Sequence, residues 1–136
     1  MSWLGRLFKK DNKASLRGAR PVRREKTYSA DTGYVYQYFY EGYRELKQVG
    51  ESGFEHVFSV TSDRISRFPI NIFLSNQVIE AWQAGNHREL TATEQYAIVK
   101  MTLFAVFDDR TDFDGSDRNV IVSLENVEEH AETLDL

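Results

Sequence analysis

The chain has no cysteine among its 136 residues. Disulfide staples, thiol nucleophiles and thiolate metal sites are thereby excluded, and the composition suits a reducing compartment. Long apolar runs are missing as well. The longest, Ala97 to Phe107, contains Lys100 and Thr102 and falls far short of the ~20 residues that cross a bilayer as a helix. The N-terminus offers only Trp3, Leu4, Leu7 and Phe8 as large side chains before the basic stretch, too few for a secretory signal core. The expected location is the cytoplasm, with attachment to the inner face of a membrane left open.

Catalytic signatures are absent too. There is no Gly-x-Ser-x-Gly, no glycine-rich phosphate loop and no His-Glu-x-x-His, so nothing points to an enzyme, a cofactor or a metal. The alternative is a small ligand-binding or enzymatic domain with a pocket between sheet and helices, using His56 or the tyrosines as polar groups. His56, His87 and His130 have no metal-ligand spacing between any pair. His56 alternates with Phe54, Phe58 and Val60, which reads as a hydrogen-bonded core histidine. The stretch Asp108 to Asp117 superficially resembles a calcium loop. Placing Gly115 at the sixth position puts Arg110 first and Ile121 twelfth, where calcium needs carboxylates, so a solvated turn is expected.

What is present is a charge asymmetry. Residues 1–26 carry nine basic and two acidic side chains, a net of +7, whereas residues 27–136 carry 8 basic and 19 acidic ones, a net of −11. Electrostatically the chain is two objects: an N-terminal arm and linker over 1–26 and one acidic domain over 27–136. In the arm, Trp3, Leu4, Leu7 and Phe8 fall on one side of a short amphipathic helix, followed by a polar, basic stretch that reads as a flexible tether. Four large apolar residues have no use in a merely solubilising tail. With Arg6, Lys9 and Lys10 beside them, they suit docking to a protein partner or larger complex, or to an anionic membrane surface. A basic arm can also neutralise nucleic-acid phosphates, but an acidic domain disfavours that use.

The rest of the chain reads as α+β: an antiparallel meander of four to five strands packed against two to three helices. Residues 34–41 alternate as a strand, Glu41-Gly42 suggests a turn into a short strand at 43–49, and Gly50 to Gly53 suggests another turn. Further strands are expected over Phe54 to Thr61, over Phe68 to Leu74 (starting at or edged by Pro69), and over Val120 to Leu124. Ser75 caps a helix through about Ala84, terminated by Gly85-Asn86. Thr91 with Glu94 forms a capping box for a helix over 92–108 with almost no polar face, and Asn126 to Leu134 forms a short acidic helix. Tyr34, Tyr36, Tyr38 and Tyr40 share one strand face. They either pack under helices with hydroxyls at the rim or form an interaction surface.

Overall fold

Aromatic and β-branched residues at alternate positions favour the pleated backbone, where side chains leave on opposite faces. A computed structural model of the chain describes residues 14–19 and 22–136. Its five strands are β1 (Lys26–Ser29), β2 (Val35–Gln48), β3 (Glu51–Thr61), β4 (Phe68–Ser75) and β5 (Asn119–Ile121). They form one sheet in sequence order. β1 to β4 pair antiparallel, and β5 joins β4 in parallel. Three helices, α1 (Asn76–Asn86), α2 (Ala92–Asp109) and α3 (Leu124–Thr133), complete an α+β fold. The apolar tip with Arg6, Lys9 and Lys10 lies outside the described residues.

The turn expected at Glu41-Gly42 is a β-bulge inside one fourteen-residue strand, β2. Gly42 takes φ +124°, a conformation open to glycine. The extra residue reverses the alternation. Tyr36, Tyr38 and Tyr40 face the helices before it, and Tyr43 sits opposite His56 after it. The true hairpin turn is the two-residue loop Val49-Gly50, with both φ values positive, the geometry that matches strand twist. Gly53, read as part of that turn, lies within β3.

β1 precedes the first strand that alternation revealed. Only four residues long, it pairs with Val35 to Tyr38 and leaves the rest of β2's edge uncovered. There Arg17 bridges Tyr43, each backbone N–H donating to the other's carbonyl at 2.8 Å. Arg23 meets Glu41 at 3.2 Å. Arg17 and Arg23, within the stretch read as a tether, are therefore held along this edge, which answers the need of an exposed strand for partners.

Caps set the helices. Ser75 accepts from the Val78 N–H, and Thr91 forms the expected reciprocal box with Glu94. Helix α1 runs two residues past the expected end at Ala84, through Gly85-Asn86, because it is His87 that adopts the left-handed conformation at φ 53°. β5 is shorter than expected and ends at Ile121, because Ser123 and Asn126 cap α3 and draw Leu124 into its first turn. β4 begins at Pro69's neighbour Phe68 but is interior, with β5 covering Asn71 to Phe73. The core joins Tyr36, Phe58, Val60, Ile70 and Ile72 of the sheet to Ile98, Val99, Leu103 and Phe107 of α2. Helix 92–108 therefore owes its apolar composition to this monomer's own core.

At Gly42 an added Cβ would meet the Arg17 carbonyl oxygen. Gly42→Ala should cost about 2 kcal/mol or more in urea unfolding and should speed amide exchange at Tyr43 by releasing Arg17. An unchanged Tyr43 exchange rate contradicts this account of the edge.

Candidate functional site

The tyrosine stripe does not form an open surface. Tyr36 is 1% and Tyr38 4% exposed, Tyr40 is half-buried, and only Tyr34 is exposed. The reason is α2, which lies over them: Phe107 stacks on Tyr36 at 4.3 Å, and Phe104 meets Tyr38 edge-on at 5.9 Å. The hydroxyls reach the rim. That of Tyr36 donates to the Arg110 carbonyl at 3.3 Å, and that of Tyr28 donates to Asp108 at 2.7 Å. Asp108, expected at the start of the acidic loop, lies in the last turn of α2 and also accepts from the Asp31 N–H, so its role here is to hold β1 and its turn to the end of α2.

Tyr40 pairs with Nδ1 of His56 at 2.8 Å. Burial pushes the His56 pKa down to about 4 and pushes the Tyr40 hydroxyl well above its ordinary value. Both groups are uncharged near neutral pH, consistent with a core pair. His130 of α3 is buried, and its pKa is lowered by that burial against a smaller opposing pull from Glu129. His87 caps α1. Among the described residues no three His, Cys, Asp or Glu side chains gather to hold a metal ion.

A different constellation appears where the arm meets the sheet. A cleft of about 370 Å³ lies between the start of the sheet and the N-terminal half of α2. The arm and β1 supply Val22, Arg23, Arg24 and Lys26. β2 supplies Tyr38, Phe39 and Tyr40, and α2 supplies Tyr96 and Lys100. Four of these side chains are cationic and none is a carboxylate, in a domain whose net charge is strongly negative. Lys26 stands directly opposite Tyr38 in the β1–β2 register, so both project on the same face. The Lys100 ammonium lies 5.9 Å from the Tyr38 ring centre.

The electrostatics of the cleft follow from these neighbours. Arg23 is compensated by Glu41 and also lies over the Phe39 ring at 5.6 Å. Desolvation raises the Tyr38 pKa to about 12, with a further push from Tyr96. Tyr96 acts on Tyr40 in the same sense, which places the three hydroxyls within electrostatic reach of one another. The Tyr38 and Tyr40 hydroxyls remain protonated at neutral pH. Sequence reasoning singled out Tyr38 and Tyr40 but missed Arg23, Arg24, Lys26, Tyr96 and Lys100 as partners. The available signals were the arm's charge and the one lysine interrupting an apolar helix.

No family model, curated protein or solved structure matches the chain.

A histidine whose folded pKa lies below its unfolded value of 6.5 binds protons more readily when unfolded, so acid destabilises the native state. Stability should be fully present above pH 6.5. It should fall by about 3 kcal/mol as pH drops toward 4 through His56, with His130 adding in the same direction. Urea unfolding across this range should show a shallower slope for His56→Gln than for the parent chain. Identical slopes would refute the assignment.

Proposed function

We propose that this chain is a non-enzymatic accessory or adaptor subunit, docked through its basic N-terminal arm to a larger protein assembly or to an anionic membrane surface on the cytoplasmic side. The observation that carries this reading is the pinning of the arm. Arg17 is paired with Tyr43 and Arg23 with Glu41, while Arg24 and Lys26 stay exposed. Arg17 and Arg23 are thus held against the edge of an otherwise acidic domain, with the apolar residues Trp3, Leu4, Leu7 and Phe8 ahead of them in sequence.

Such an arrangement separates two contributions. The apolar tip supplies buried area on the partner or at the headgroup boundary. Arg6, Lys9 and Lys10 supply attraction to negative charge, about 1 kcal/mol each near an anionic lipid surface. No helix among the described residues is long and apolar enough to cross a membrane, so attachment to a bilayer in this reading is peripheral.

Deletion of residues 1–10 should weaken co-sedimentation with phosphatidylcholine–phosphatidylserine vesicles, or co-purification with a protein partner, by about 100-fold or more at low salt. The far-UV circular dichroism of residues 27–136 should be unchanged. Loss on the vesicles alone assigns the membrane, and loss in the pull-down alone assigns a protein. Association that persists at full strength in both assays would sink the proposal.

A further inference from the structure

The sheet has two faces, and the described helices serve one of them. Alternation along β4 sends Ile70, Ile72 and Leu74 into the core with the buried residues of α1, α2 and α3, so Phe73 between them leaves on the other side. Along β3, Phe58 and Val60 join the same core, and alternation then puts Glu55 and Val57 on the side of Phe73. The register sets Arg44, Glu55, Phe73 and Ile121 side by side across four strands. Leu46, two residues beyond Arg44 in β2, shares their face.

Phe73 is 1% exposed and Val57 5%, yet neither belongs to the cluster that joins the sheet to the helices. A side chain on a sheet stands out from it, so its outer surface stays wet unless another layer lies over it. Among the described residues, the helices place their buried side chains on the opposite face. Leu16 and Arg67 approach this face beside Val57, Ser59 and Pro69, around a depression of about 230 Å³. The row through Phe73 calls for an apolar layer beyond them.

The chain leads such a segment to this place. The Arg17 backbone is paired with Tyr43 at the edge of β2, and Leu16 beside it already lies against this face. The sequence then runs back to Phe8, Leu7, Leu4 and Trp3. From Arg17 to β4 is three strand spacings, about 14 Å, and the stretch from Phe8 to Arg17 reaches about 30 Å when extended. So short a tether holds the apolar residues at a local concentration on the order of millimolar, which favours them over a second copy. Arg6, Lys9 and Lys10 add attraction to the acidic domain.

We propose that Trp3, Leu4, Leu7 and Phe8 pack in cis over Phe73, Val57 and Leu46, as a third layer on the sheet. The contact stands whether or not the tip also docks elsewhere. Its consequence rests on the docking reading: a membrane or partner that takes the tip must displace it from its own domain, and docking then bares Phe73.

The absence of cysteine lets a single introduced thiol carry a spin label. Ser2→Cys places it opposite the apolar side of the tip, and amide spectra of the full chain are recorded with the label paramagnetic and then reduced. The amides of Leu46, Glu55, Phe73 and Ile121 should lose most of their intensity, while that of Ala105, exposed on the outer side of α2, keeps it. Leu7→Asp combined with Phe8→Asp should restore the lost signals. A mixture of spin-labelled chain with separate isotope-labelled chain should show no loss. Undiminished signals at Phe73, a loss that survives the double variant, or a loss in the mixture, which assigns a second copy, would each overturn the proposal. Vesicle or partner binding without signal loss overturns the cis contact and leaves the docking reading intact. Signal loss without either binding supports the contact and sinks the docking reading.

Discussion

The structure depends on an aromatic seam between the first two strands and helix α2. Phe107 lies flat on Tyr36, with ring centres 4.3 Å apart and planes within 7°, and Phe104 lies flat on Tyr28 at 4.4 Å and 5°. Phe113 closes the seam edge-on against both Tyr36 and Phe107. Such pairs contribute about 0.5–1.5 kcal/mol each beyond the area they bury, but their geometric effect is larger. They lock the C-terminal half of α2 across β1 and β2, so the four-residue β1 is held by rings and by Tyr28–Asp108 as much as by its short ladder. The N-terminal half of the same helix then carries Tyr96 and Lys100 to the mouth of the cleft.

The bulge at Gly42 is the second constraint, and it works with the first. Without it the strand's alternation would continue past Tyr40, and Tyr43 would leave the face it shares with His56 and Phe54, whose rings it meets. The bulge also brings β2 close to the Arg17 backbone, which ties part of the basic arm to an acidic domain. Electrostatics alone would favour that association but would leave it diffuse and salt-sensitive. Two backbone hydrogen bonds give it a register. Across the sheet, Arg67 stitches the arm's neighbourhood further, bonding Glu25 and Ser59 and lying 4.6 Å above the Phe39 ring.

Much of the fold was legible from local pattern. Capping chemistry acts within four residues, so Ser75, Thr91 with Glu94, and the alternating strands β3 and β4 could be read directly. The readings that failed share a cause. Gly42 announces a positive φ but not whether the chain turns or bulges, because that is decided by the partner strand opposite. β1 is too short to show alternation and exists because Tyr28 has rings to stack on. The site was half legible: Tyr38 and Tyr40 stood out as a stripe, whereas Arg24, Lys26 and Lys100 are three ordinary cations until the fold brings residues some 60 to 75 positions apart around one cleft.

The α+β class, the starts of α1 and α2 and the split between a basic arm and an acidic domain are properties of the sequence itself, because each follows from side chains acting on their near neighbours or on bulk charge. Which tyrosines are core, where Arg17 and Arg23 are held, and which cations line the cleft beside Tyr38 were decided only by tertiary structure. Those features depend on contacts between distant segments, and no local periodicity encodes the packing of one ring on another.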